Sequence, residues 1–230
     1  VNETDGTLSL LRNTGSSLTT QATLPVATLP YALLPVDIDG NGTLDLVGTS
    51  GGTNSAWVFL NNGGWEFTAA PSLAVGTKPL SVAAPDINGD GHPDLATANS
   101  DAHSLTLLLN NGDGSYQLHA TVPLGTNARP DFVTSADLNT DGRDDLVAVN
   151  RGNATMSVLL NDGSSGFNSR TVSVPPSPSS VVVADLNGDG APDLACASTG
   201  AHQHHISLNA GLGGFTAAGT VATRRITKVY

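Results

Sequence analysis

Four nine-residue strings carry most of the chemistry in this chain. They are Asp37-Ile38-Asp39-Gly40-Asn41-Gly42-Thr43-Leu44-Asp45, then residues 86–94, 137–145 and 185–193 in the same register. Positions one, three, five and nine always bear a side-chain oxygen. These residues are Asp37, Asp39, Asn41 and Asp45; Asp86, Asn88, Asp90 and Asp94; Asp137, Asn139, Asp141 and Asp145; and Asp185, Asn187, Asp189 and Asp193. Position six is always Gly. Hard oxygen ligands at alternate positions around a sharp turn are what a loop wrapped on Ca²⁺ requires. Position seven varies among Thr43, His92, Arg143 and Ala191, which suits a ligand supplied by the main-chain carbonyl. Four repetitions in register point to about four calcium ions, one per loop.

The loops are not EF-hands. The twelfth position, where an EF-hand places a bidentate Glu, holds Gly48, Thr97, Ala148 and Cys196. Apolar stretches such as Val181-Val182-Val183 before a loop and Leu146-Val147-Ala148-Val149 after one read as β-strands. Each loop therefore joins two strands, and the carboxylate at position nine closes the site.

The elements that position these loops recur with a period. The loop-opening residues Asp37, Asp86, Asp137 and Asp185 lie 49, 51 and 48 residues apart. Asn13, Asn61, Asn110, Asn161 and Asn209 each end an apolar strand at the same spacing. Pro30, Pro79, Pro130 and Pro178 stand seven residues before the loops, and Phe67, Tyr116, Phe167 and Phe215 follow six residues after an Asn. In the second repeat, strands are expected over 80–84, 95–98, 104–109 and 116–122, with turn chemistry at each junction. Four short strands per repeat of about 49 residues describe a propeller blade.

On the calcium loop, the Leu-Leu-Asn-Gly-type turn and the aromatic after it, the chain resembles the FG-GAP/VCBS repeats. These occur in integrin α-chain heads and in many secreted bacterial and fungal proteins. The resemblance implies an all-β propeller, usually of seven blades, with calcium between the first two strands of a blade. At 230 residues the chain is short for seven. Val1-Asn2 matches Val149-Asn150, and Arg225 to Tyr230 aligns with the strand starting at Pro130. The expectation is one domain over 1–230, closed as a five-bladed ring by a composite blade of both termini. Five repeats cut from a longer propeller are the alternative.

Composition limits the partners. The formal charge is −11, and twelve of the 20 Asp and Glu occupy ligand positions of the four loops. Four Ca²⁺ would bring the total to about −3. Such acidity excludes a nucleic-acid partner, which needs a basic face, and no apolar run is long enough to span a membrane. Val1 opens in polar sequence without a leader pattern, so the chain reads as a mature or excised piece of a longer, secreted protein. The lone Cys196 excludes an internal disulfide framework and reads as a small core residue.

Residues that break the repeat are candidates for ligand binding. Trp57 stands where the other repeats have Ser9, Thr106, Ser157 and His205. It either stacks on a sugar or packs against a neighbouring blade. Trp65, beside Glu66 in a strand-connecting turn, has the same two readings. His202, His204 and His205 form either a transition-metal cluster or a solvated loop. No nucleophile with a positioned base and no free pair of carboxylates is evident, so a non-enzyme is expected. The resemblance implies a multivalent lectin that recognises glycans outside the cell; protein adhesion or a spacer role in a larger secreted protein is the alternative.

Overall fold

Turns rich in Gly, Asn and Asp cut the apolar sequence into pieces of five to eight residues, too short for helices and suited to strands. The computed structural model describes residues 1–164 and 166–222. It begins with a two-stranded antiparallel sheet, β1 (Thr7–Asn13) and β2 (Leu18–Pro25). Four antiparallel blades follow, each in simple chain order. Blade one is β3 (Pro30–Val36), β4 (Asp45–Ser50), β5 (Ser55–Asn61) and β6 (Phe67–Ala69), with β7 (Leu73–Ala74) also on β5. Blade two is β8 (Pro79–Ala83), β9 (Leu95–Asn99), β10 (Ser104–Asn110) and β11 (Tyr116–Pro123). Blade three is β12 (Pro130–Ala136), β13 (Asp145–Asn150), β14 (Thr155–Asn161) and β15 (Phe167–Ser173). Blade four is β16 (Pro178–Ala184), β17 (Asp193–Ser198), β18 (Gln203–Asn209) and β19 (Phe215–Ala222).

The outer strand of blade one departs from the pattern by splitting into β6 and β7. Pro71 lies in the break; it has no N–H for the ladder and is tolerated at a sheet edge. The repeat phase at the N-terminus is as read. The Asn2 amide donates to Thr7 and Ser9 hydroxyls at 2.9 Å, as Asn150 donates to Thr155 and Ser157. The strand expected over 225–230, with the ring closure it would make, lies outside the described residues.

The second and third strands of blades one to three are largely buried on both faces, because a neighbouring sheet covers each side. This explains their continuous apolar or small-residue runs. β18 of blade four, with no further blade beyond it among the described residues, alternates between buried and half-buried residues. Each blade-to-blade interface holds its own apolar cluster. Leu8 meets Trp57 and Phe59 between the two-stranded sheet and blade one. Ile38, Val47 and Val58 meet Val82, Leu95 and Leu108 in the next interface. Leu105 and Leu107 then meet Val133, Leu146 and Leu159, and Leu138, Val147 and Val158 meet Val181 and Leu194. The innermost strands face a common cavity of about 470 Å³, with Tyr31, Leu80, Phe132 and Ser179 on its wall.

The second loop residue is an apolar plug. Ile38, Ile87 and Leu138 are buried, whereas Leu186 of the last loop is 48% exposed, since no further blade follows it among the described residues.

Candidate metal centre

Each acidic loop links a blade's innermost strand to the next, and a lattice of main-chain hydrogen bonds sets its shape. The carboxylate at position nine is the deepest. Asp45, Asp94, Asp145 and Asp193 are fully buried where the second strand begins. One oxygen of each accepts the N–H of loop position two: Ile38 and Ile87 at 2.8 Å, Leu138 and Leu186 at 2.9 Å. The other accepts the N–H of the strand-ending Asn: Asn61, Asn161 and Asn209 at 2.7 Å, Asn110 at 2.8 Å. The opening Asp folds the loop back on itself. Asp37, Asp86, Asp137 and Asp185 accept the N–H of the position-six Gly at 2.8–2.9 Å. That Gly sits at φ between 84° and 86° in all four loops, where a β-carbon is strained.

Between these anchors, the position-five side chain accepts the N–H of position seven. Asn41 serves Thr43, Asp90 serves His92, Asp141 serves Arg143 and Asp189 serves Ala191, at 2.8–3.0 Å. Only main-chain atoms of position seven enter this shared lattice, so its side chain is free to vary. In the third loop that freedom is used: Arg143 forms a 2.6 Å ion pair with Asp141 and donates to Asn161 O.

In the first loop, ligand oxygens of Asp37, Asp39 and Asp45 all lie within 4.8 Å of one another. Asp37 Oδ1 is buried without a hydrogen-bond partner. A buried, unpartnered carboxylate oxygen facing two further acids fits a hard divalent cation. This is the one such grouping of His, Cys, Asp or Glu among the described residues. In the other loops position three is Asn. The amides of Asn88, Asn139 and Asn187 donate at 2.8 Å to Asp90, Asp141 and Asp189, holding the position-five carboxylate by a neutral partner. Burial pushes the carboxyls of Asp94 and Asp145 up; their two N–H donors pull them back, and the neighbouring loop acids push them up again. Asp90 and Asp185 are shifted down, chiefly by backbone N–H donors.

By sequence the strand-ending Asn is a turn residue only, and the structure gives it a larger role. Besides its own N–H bond, the side-chain amide reaches back to the preceding blade. Asn110 donates to Ile38 O at 2.8 Å, Asn161 to Ile87 O at 2.8 Å and Asn209 to Leu138 O at 2.6 Å. Each acceptor is the second residue of the preceding loop. Asp144 adds a further link, accepting the N–H of Asp86 at 2.9 Å. The signal was present as a period; its partner, more than 70 residues away, was not.

A model described as FG-GAP-like repeat matches residues 37–97, 86–148 and 137–196, and one described as FG-GAP repeat matches 177–222. The chain belongs to the FG-GAP repeat family. No curated protein sequence matches it. Among solved structures it is similar to a Lactobacillus plantarum protein, at 14% identity and TM-score 0.73 over 97% of this chain and 66% of that one. A putative 6-phosphogluconolactonase from Bacteroides uniformis aligns at 13% identity and TM-score 0.72, covering 94% and 65%. The Vibrio cholerae biofilm matrix protein Bap1 aligns at 18% identity and TM-score 0.60, covering 96% and 34%. The chain thus spans less than two thirds of the length of these proteins. At such identities the likeness shows the fold, which is a β-propeller.

The FG-GAP repeat also separates the remaining candidates. Trp57 does not offer a stacking face. It is only 6% exposed and packs edge-on against Phe59, with ring centroids 5.7 Å apart, in the cluster under the two-stranded sheet. The space comes from Gly48, its cross-strand partner, where a β-carbon would fall inside the indole. The sugar-stacking expectation for Trp57 is corrected accordingly. Trp65 differs: it is 43% exposed and lines a pocket of about 370 Å³ with Thr43, Leu44, Asn61 and Phe67, directly beside the first acidic loop. Its φ is 71°, at a turn position where two other repeats have Gly114 and Gly213, also at positive φ, and the remaining two have Ser17 and Ser165 in the sequence.

The histidines do not assemble into a metal site. His205 is buried opposite Cys196 in the ladder, His204 points to the other face by strand alternation, and His202 is an exposed turn residue. Burial pushes the Cys196 thiol up to about 12, which makes it a core residue and a poor nucleophile.

Proposed function

We propose that this FG-GAP propeller is an extracellular, calcium-stabilised binding module that recognises carbohydrate, and is not an enzyme. About four Ca²⁺ would be held, one per loop, by the side chains at positions one, three, five and nine with the carbonyl of position seven. Bound calcium supplies charge neutralisation of a loop's three carboxylates; the chain's own hydrogen bonds already fix the loop's course. Calcium's abundance outside cells supports a secreted location.

The observation that carries the carbohydrate reading is Trp65. An indole at positive φ, where two sister repeats use Gly and two use Ser, costs backbone energy, yet it is left 43% exposed over a pocket. Such a ring, beside the Thr43 and Asn61 polar groups, suits the apolar face of a sugar with hydroxyls at its rim. The test is a glycan array of labelled protein, with calcium and with chelator. The expected result is calcium-dependent binding to a defined sugar class, weakened about two- to tenfold by Trp65→Ala, the worth of an aromatic contact. A blank array from folded protein, or binding indifferent to Trp65→Ala, would overturn the reading and direct attention to protein partners.

A further inference from the structure

Six of the described residues are Lys or Arg, and three of them, Lys78, Arg129 and Arg151, line one pocket of about 390 Å³. In a chain of net charge −11 that is a strong local excess. Lys78 and Arg129 precede the innermost strands of blades two and three, and Arg151 follows the second strand of blade three. All three therefore lie at the ends of those strands opposite the acidic loops. Ser100 and Ser177 add hydroxyls to the rim. The propeller thus presents an acidic face and, across its thickness, a basic mouth.

The fold does not require these cations. Lys78 and Arg129 occupy a left-handed turn position, φ 55° and 49°, that the other blades fill with Leu29 and Ser177 at φ 54° and 56°. Where blade three has Arg151, the others have Gly51, Ser100 and Thr199; where it has Asp131, they have Tyr31, Leu80 and Ser179. The basic residues are an addition to the repeat, concentrated where two blades meet.

Their present partners are weak. Arg151 lies 3.4 Å from Asp131, and Arg129 lies 3.7 Å from Asp101, with both guanidinium groups more than half exposed. The Arg129–Asp101 pair is exposed on both sides and contributes little; in the Arg151–Asp131 pair only the guanidinium is exposed, the Asp131 side chain being 18% exposed. Asp131 is the one carboxylate lining the pocket and feels all three cations: burial pushes its carboxyl up, while Arg151, Arg129 and Lys78 pull it down. Two guanidinium forks and an ammonium around one internal carboxylate form a receptor in which an external oxyanion can take over the donors.

We propose that this pocket is an oxyanion site, taking the carboxylate or sulfate group of an acidic saccharide. The saccharide as source of the anion rests on the carbohydrate reading above; the oxyanion site does not. Asp131 competes with the ligand for the same cations, so charge removal at Asp131 and at the basic residues must act in opposite directions. A merely structural ion pair would weaken in both cases.

The test is calorimetric titration of the whole chain with inorganic sulfate, an oligogalacturonate, a sulfated oligosaccharide and a neutral oligosaccharide, at low and high salt. The expected result is preference for acidic over neutral ligands, fading as salt screens the charges. Lys78→Gln and Arg129→Gln should each weaken acidic-ligand binding at least about fivefold with unchanged melting, and Asp131→Asn should tighten it. The uronate and sulfated ligands identify which oxyanion is preferred. Sulfate binding sensitive to Arg129→Gln, without binding of any oligosaccharide, would retain the oxyanion site and remove the saccharide as its source. Equal binding of neutral and acidic ligands, no effect of Lys78→Gln and Arg129→Gln, or weakening by Asp131→Asn would overturn the proposal.

Discussion

The side-chain amide of Asn161 donates to Ile87 O of the preceding blade, and its own N–H satisfies Asp145. The residue is 2% exposed, so these groups have no water to fall back on. Truncation would leave a buried carbonyl unpaired, the more expensive way to lose a hydrogen bond. Asn161→Ala is expected to destabilise the protein by about 1–3 kcal/mol in urea unfolding. Asn61 provides the control, since its amide reaches only Leu44 O within its own blade, in an exposed setting. Asn61→Ala should cost clearly less, and equal costs would show that the cross-blade bond contributes nothing. The recurrence of this Asn was legible in the sequence, as were the loop ligands. The bond was not, because its two ends lie 74 residues apart and meet only when blades stack.

Strands are where the repeat tolerates exchange, provided facing residues change together. In blade three, Asn150 and Ser157 hydrogen-bond beside Ala148; in blade two, Asn99 bonds Thr106 beside Thr97. Blade one replaces that polar pair with Ser50 and Trp57 and opens room with Gly48. Gly48→Ala is therefore expected to cost about 1–3 kcal/mol by overpacking, read as a shift in denaturation midpoint. Part of that cost should vanish in a Trp57→Ala background, because the two residues occupy one space; strict additivity would refute the pairing. The four-stranded repeat was readable from turn residues and apolar stretches, since those signals are local. Trp57's burial was not, because β4–β5 register decides that Gly48 and Trp57 face each other. Nor was the β6–β7 break, where a single Pro71 outweighs the pattern of its neighbours.

At the scale of the whole propeller, four apolar interfaces among the described residues hold the sheets together, while acidic loops crowd one face. Each loop places three carboxylates at its ligand positions, and in the first loop oxygens of Asp37, Asp39 and Asp45 lie within 4.8 Å of one another, close enough to share one cation. Without that cation the face repels itself, which favours the unfolded chain. With it, every occupied loop shifts the folding equilibrium by mass action, by about 2.7 kcal/mol at a free concentration 100-fold above the dissociation constant. For a domain of this size, about 1 kcal/mol moves Tm by roughly 2–4 °C. An excess of chelator is thus expected to lower Tm by about 5–10 °C for each loop that was filled, measured by calorimetry. Calcium should restore the transition and magnesium should do so poorly, because a loop of flexible oxygens suits the larger ion. Asp37→Ala should remove the first loop's share of the response and leave the rest. An unchanged Tm on chelation would mean that the hydrogen-bond lattice alone sustains the loops, and the metal would then have to be sought in ligand binding rather than in folding.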